Sequence, residues 1–268
     1  MGPDIAKSVS EIAQVTKELG MEVVLVGALI AEFTPEMTEH SPPFPRTRDA
    51  DFAFLAQDWS SFHHLKKELM DKLHYTPDLR IEHRLEKGNV QVDLIPYGPR
   101  IAPDGLLIWP NSKMEFNVVG FEESCGAAQE TRKAGLYPIS ILSIPGFVLL
   151  KIIAFLDRSR RGDPKHKNDA GGVYYWLKNF ADDDRRYSLP ETWGPDSRRY
   201  LTSGSILLGN EVGQLASLKA TVLLDRFFLL TGKPNNPFED AVAFDRREDA
   251  EKGIRRELPQ LLNAFKTG

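Results

Sequence analysis

The sequence predicts an α+β protein: a mixed β-sheet flanked by helices over residues 1–140, followed by a mainly helical domain over residues 141–268. Three observations lead there. The apolar run Val23-Val24-Leu25-Val26 stops at Gly27-Ala28 and passes into Leu29-Ile30-Ala31-Glu32-Phe33, the order of a buried strand, a glycine turn and a helix start. Arg80 to Glu86 and Val90 to Pro96 flank the turn sequence Lys87-Gly88-Asn89 and read as a hairpin. From Pro145 onward, a residue welcome in the first turn of a helix, the pattern is helical nearly throughout.

The elements follow in order. Ile5, Val9, Ile12, Val15 and Leu19 recur at steps of three and four, so Asp4 to Leu19 is a helix that Gly20 stops. Glu22 to Val26 is the buried strand. Pro35, Pro42, Pro43 and Pro45 make residues 34–46 a loop. A strand carrying Asp51 comes next, and Ser60 to Leu73 is helical. In the second arm of the hairpin Val90, Val92 and Leu94 point one way, while Gln91, Asp93 and Ile95 point the other. Met114 to Phe121 reads as a strand, and Ile139 to Ile144 leads into a helix over 145–159. Ala170 to Phe180, Glu211 to Leu230 and Arg246 to Phe265 complete the helical part, with Gly171-Gly172 weakening the start of the first of these.

Bulk properties exclude some classes. A chain of 268 residues, 41% hydrophobic and 27% charged, has the composition of one large or two modest soluble domains. A net charge of −4 argues against a protein that coats nucleic acid, although not against a local basic groove. The one cysteine, Cys125, has no partner for an internal disulfide and reads as a half-buried structural thiol in a reducing cytosol. Residues 1–20 are polar and amphipathic rather than a signal peptide, and the apolar run from Phe147 to Leu156 is interrupted by Lys151 and too short to span a bilayer. The expectation is a soluble, cytoplasmic protein without a membrane partner.

The chemistry concentrates in Thr47-Arg48-Asp49-Ala50-Asp51-Phe52. A strand puts residues i and i+2 on one face, so Asp49 and Asp51 share a side. Two like charges held so close are costly without a cation between them. Oxygen-only ligands suit Mg²⁺, which completes its shell with water and substrate phosphates. Asp93 lies between Val92 and Leu94, where a charge is expensive without a partner. Asp93 is either an edge-strand charge or, if the three strands are neighbours, the third member of a carboxylate cluster.

Together these pieces resemble the nucleotidyltransferase superfamily, the fold shared by polymerase beta and the antibiotic nucleotidyltransferases. The nearest branch is the AbiEii-like toxins of type IV toxin–antitoxin and abortive-infection systems. The resemblance spans about residues 20–180. It rests on Leu25-Val26-Gly27-Ala28, on Thr47 to Asp51, on Val92-Asp93-Leu94, and on Leu150 to Arg158 followed by Lys167-Asn168-Asp169. Ala28 stands where the family usually has a second glycine or a serine, so a phosphate contact from that side chain is missing and backbone N–H donors remain. The proline-rich segment before Asp49 is also longer than in compact members.

The resemblance implies a catalytic trio of Asp49, Asp51 and Asp93. The first two would hold two Mg²⁺ ions, and Asp93 would ligate the metal near the acceptor and help deprotonate its hydroxyl. The donor would be an NTP such as ATP, with pyrophosphate leaving. Gly27, Ala28, Thr47, Arg48, Lys151, Lys167 and Asp169 would bind the nucleotide. Lys151 otherwise reads as a snorkelling lysine, and Lys167 and Asp169 as a helix start rather than a phosphate contact with its orienting partner. The acceptor would be an RNA or tRNA end, or a small molecule. An antitoxin protein is an implied partner, and DNA is not. The basic run Arg158, Arg160, Arg161, Lys165 and Lys167 is either a solvated loop or a phosphate-backbone contact.

Two other classes compete. One is a catalytically inactive module that keeps the fold and binds a partner; Ala28 speaks for it and the intact acid trio against it. The other is a metal-dependent phosphohydrolase. Such sites normally recruit histidine, and none lies near these motifs in the sequence.

Overall fold

The structure, a computed structural model, describes residues 3–34, 37, 41–45, 47, 49–131, 136–190, 198–244 and 246–268. The chain forms two compact units, Met1–Ser143 and Ile144–Gly268.

The first unit begins with α1 (Pro3–Glu18), then β1 (Val23–Val26) and a single 3₁₀ turn over Ala28–Glu32. β2 (Asp49–Leu55) leads to α2 (Trp59–Leu73), whose N-terminus is capped by Asp58 accepting from the Ser61 amide at 2.8 Å. There follow β3 (Thr76–Pro77), β4 (Arg84–Lys87), β5 (Val90–Tyr97), a separate ribbon of β6 (Leu106–Ile108) and β7 (Glu115–Asn117), α3 (Phe121–Gly126), β8 (Gln129–Thr131) and β9 (Ile139–Ile141). The main sheet has seven strands in the order β3-β4-β5-β2-β1-β9-β8, with β2–β5 and β1–β9 parallel and the other pairs antiparallel. It is a mixed sheet flanked by helices, and the chain is α+β with a helical C-terminal region.

Period two sorts the sheet into faces. Leu25, Ala50, Phe52, Phe54, Leu85, Val92 and Leu94 share the apolar face and are all buried, as are Ile12 of α1 and Leu65 and Leu69 of α2. The opposite face carries Asp49, Asp51, Gln91 and Asp93 at one end. It is apolar at the other, where the Tyr97 ring lies 6.0 Å from Phe121 of α3.

Local chemistry explains where the elements differ from the sequence expectation. The helix expected from Leu29 is only the 3₁₀ turn. The hairpin's first arm starts at Arg84 rather than Arg80, because the Asp78 carboxylate accepts from the Arg80 and Ile81 amides at 2.7 and 3.0 Å and closes a turn there. The strand expected over Met114 to Phe121 shortens to β7 and pairs outside the main sheet.

Burial pushes the Cys125 thiol up to about 12 from 9.0, and raises Tyr75 to about 12 from 10.0. Both groups hold their protons more tightly folded than unfolded. Their stabilising contribution is therefore complete below pH 9.0, the ordinary thiol value, and is lost as pH rises toward about 12. Circular dichroism across an alkaline titration is expected to show the first unit losing stability in that window. At about pH 8 a thiol reagent should leave Cys125 unmodified until denaturant is added.

The second unit is helical: α4 (Ile144–Arg161), α5 (His166–Asn179), a 3₁₀ turn over Asp184–Ser188, α6 (Arg198–Leu215), α7 (Leu218–Thr231), α8 (Pro237–Ala243) and α9 (Glu248–Thr267). α5 begins four residues before the expected Ala170. The single helix expected over Glu211 to Leu230 is broken, because the Ser217 side chain accepts from the Ala220 amide and starts α7 afresh. α8 was not expected; Asn236 caps it, accepting from the Phe238 and Glu239 amides at 3.0 Å. No helix among the described residues is long and apolar enough to cross a membrane.

Candidate active site

β2 is the hub of the candidate site. Its parallel register with β5 sets Asp51 directly beside Asp93 and Asp49 beside Gln91. The antiparallel register of β4 on β5 sets Arg84 beside Asp93 and Glu86 beside Gln91. Two polar rows therefore cross the same sheet face, Arg84–Asp93–Asp51 and Glu86–Gln91–Asp49, at neighbouring strand spacings of about 4.8 Å.

Each side chain has a local reason for its place. Asp51 also faces the end of β1, where Gly27 follows directly. Gly27 has φ 73 and ψ −167, and a Cβ on it would lie 2.0 Å from Asp51 Oδ2. The missing side chain is the space the Asp51 carboxylate occupies. The Thr47 hydroxyl accepts from the Asp49 amide at 3.0 Å, a turn that sets up the first residue of β2. Arg48 lies outside the described residues. Ala28 opens the 3₁₀ turn next to the glycine corner.

Arg84 is the functional residue that sequence reasoning missed. Its Nε and one terminal nitrogen donate to the two Asp93 oxygens at 2.7 and 2.8 Å, and its other terminal nitrogen donates to Gln91 Oε1 at 3.0 Å. Gln91 in turn donates to Glu86 Oε1 at 3.0 Å. The Arg84 and Asp93 side chains are only 13% and 12% exposed. Hydrogen bonds to Asp93, with the charges of Asp93, Asp49 and Asp51, raise the guanidinium pKa above its ordinary value. One cation thus feels all three acids. A signal existed: the loop of the hairpin is two residues long, led by Gly88 at φ 61, so Lys87 pairs with Val90 and Arg84 falls opposite Asp93. A three-residue loop over 87–89 would have put His83 there instead.

No histidine lies near the acid motifs in the sequence, but the fold brings His83 to them. Its Nε2 lies 3.7 Å from Asp93 Oδ2, and its ring rests 5.0 Å from that of Trp109. The hairpin brings together residues ten apart in sequence.

The donor set suits a hard divalent cation in chemistry, with oxygen ligands only and carboxylates side by side on one sheet face. As arranged, however, both Asp93 oxygens are turned to Arg84. Among the described residues no group of three His, Cys, Asp or Glu is poised to hold a metal. Asp49 and Asp51 fit as ligands, and Asp93 in this arrangement does not.

The expected residues of the helical unit form a cluster of their own. Asp169, fully buried in the first turn of α5, accepts from Lys151 Nζ at 2.8 Å and from Arg158 at 2.6 Å. Of the two readings of Asp169, a partner that orients Lys167 or an acid in the first turn of a helix, it stands in the first turn of α5, with these two cations of α4 as its partners. The Lys167 ammonium instead lies over the Phe244 ring at 3.1 Å from its centroid. Within the basic run Arg160 and Arg161 share one acid, Asp157, at 3.3 and 3.2 Å.

No protein-family model matches the chain, and no curated protein matches it. Solved structures that resemble it include the antibiotic-resistance factor ANT(2'')-Ia in complex with adenylyl-2''-tobramycin, 14% identical at a TM-score of 0.39, covering 83% of this chain and 95% of that one. An antigenic nucleotidyltransferase-like protein from Paracoccidioides brasiliensis is 15% identical at a TM-score of 0.42, covering 84% of this chain and 94% of that one. A tRNA-processing enzyme in an apo form is 11% identical at a TM-score of 0.27, covering 99% of this chain and 78% of that one.

Proposed function

We propose that the acid row of β2 and β5 is a nucleotidyl-transfer site, moving an NMP unit from an NTP such as ATP onto an acceptor hydroxyl while pyrophosphate leaves. The observation that supports it most is the side-by-side register of Asp51 and Asp93, with Asp49 on the same face and Gly27 against Asp51. Three acids clustered at a glycine corner are costly to keep unless their charge is used. Asp49 and Asp51 would hold Mg²⁺, which when bound supplies charge neutralisation at the triphosphate.

The chain's own residues do the rest by placement. Thr47 sets the start of β2 and so the position of Asp49. Gly27 lets Asp51 sit close to the β1 corner. Asp93 would take the acceptor's proton once Arg84 releases it. In the helical unit, Lys151 and Arg158, fixed by the buried Asp169, form a paired cation suited to phosphate oxygens, and Lys167 is a further candidate. Because Arg158, Arg160 and Arg161 of the basic run are engaged by acids of their own unit, a small-molecule acceptor is favoured over an RNA end. By its motifs the protein would stand nearest the AbiEii-like toxins, with an antitoxin as partner.

The test is label transfer from labelled NTPs to candidate acceptors, with MgCl₂ or EDTA. Asp49→Ala and Asp51→Asn are each expected to lower transfer by about 10²–10³-fold. Transfer that survives Asp49→Ala removes this reading. One observation favours a second: with both Asp93 oxygens engaged by Arg84, the site could be a silent binding module. NTP affinity that does not depend on Mg²⁺ in calorimetry would select that alternative.

A further inference from the structure

We infer that Arg84 is a resident counter-cation that competes with divalent metal for Asp93, and so sets how readily the acid row takes up metal. The inference rests on the reading of the row as a metal-assisted site. Arg84 gives one nitrogen to each Asp93 oxygen, leaving that carboxylate no oxygen facing an ion without a competing donor. The same guanidinium is held from behind, through its third nitrogen, by Gln91 and then Glu86. When it leaves Asp93 it therefore remains tethered to a second acid on its own strand and is not expelled into solvent.

The consequence is one of ligands: with Arg84 in place on both Asp93 oxygens, an ion on this face has Asp49 and Asp51 to bind. A second ion that uses Asp93 requires Arg84 to let go. Arg84 thereby acts as a positioning residue: it holds the Asp93 carboxylate in place before metal arrives, and it sets the cost of recruiting the third ligand.

The experiment is a titration of the nucleotide-free full chain with Mn²⁺, read by electron paramagnetic resonance, for the unaltered protein, Arg84→Met and Arg84→Lys. Arg84→Met is expected to bind Mn²⁺ about tenfold tighter, the size of effect seen when one member of a close charge pair is removed. Its melting temperature should fall in EDTA and recover with MgCl₂ by more than the unaltered protein's rises. Arg84→Lys keeps the charge but loses the two-pronged hold, and is expected to bind several-fold tighter than the unaltered protein. Equal Mn²⁺ affinity in a folded Arg84→Met overturns the inference and leaves the transfer reading standing. Should Arg84→Met fail to fold with or without metal, Arg84→Lys decides: tighter binding supports the inference and equal binding overturns it. No Mn²⁺ bound by any of the three overturns both the inference and the metal-assisted reading beneath it.

Discussion

Gly27→Ala is expected to destabilise the first unit by about 2–4 kcal/mol and to lower nucleotidyl transfer by about 10²-fold. Two costs add. At φ 73 and ψ −167 the backbone of Gly27 lies in a region that is essentially glycine-only, worth about 1–3 kcal/mol to any other residue. The new Cβ would also arrive 2.0 Å from Asp51 Oδ2, so the carboxylate must move or the corner must open. Asp51 stands beside Asp93 and two residues along β2 from Asp49, and a displacement of about 1 Å is enough to spoil a site that works by placement. Thermal melting measures the first effect and label transfer the second. A Gly27→Ala protein with the stability and activity of the unaltered chain would show that the close fit of Gly27 and Asp51 matters to neither.

Arg186→Met is expected to cost the helical unit about 3–5 kcal/mol, because several buried carbonyls lose their donor at once, at about 1–3 kcal/mol for each left unsatisfied. Arg186 is 1% exposed. Its Nε donates to the carbonyls of Phe180 and Ala181 at 3.1 and 2.9 Å, and its terminal nitrogens reach the carbonyls of Lys178, Phe180 and Tyr200 at 2.9, 2.7 and 3.1 Å. The guanidinium thus caps the C-terminal end of α5, where carbonyls have no helical partner, and ties it to α6. α6 accommodates it with Gly204, where a Cβ would lie 2.6 Å from the Phe180 carbonyl oxygen and 2.7 Å from the Arg186 terminal nitrogen. Methionine matches the volume but supplies no donor, so buried carbonyls lose their hydrogen bonds. Arg186→Lys should recover little, since a point charge cannot serve carbonyls spread over a planar fork. Chemical denaturation followed at 222 nm, with hydrogen exchange at the α5 and α6 amides, checks the loss and its place.

Much of the site was legible because its logic is local. The placement of Asp49 and Asp51 on one face needs only the period of a strand. The glycine corner needs only an apolar run ending at Gly27. The hairpin and the buried character of Val92 and Leu94 follow from alternation around a turn. The meeting of Asp93 with Asp51 is different in kind. It depends on the register of β2 against β5, two strands joined by a long crossover. That register is held by burial of Phe52 and Leu94 on the far face, and a slip of one residue would carry Asp93 into the apolar layer. The break between α6 and α7 was hidden for another reason: apolar periodicity runs through it, and a single side-chain cap at Ser217 ends it.

By itself, the sequence determined which residues bear charge in apolar company: the acid pair entering β2, Asp93 on β5, Lys151 on α4 and Asp169 on α5. Only the tertiary structure decided what each charge meets, giving Arg84 to Asp93, and Lys151 and Arg158 to Asp169. The physical reason is range. Which face a side chain takes is set by the repeat of its own backbone, over a few residues. Which ion it pairs with is set by strand register and helix packing between segments far apart in the chain, where one residue of loop length exchanges an arginine for a histidine.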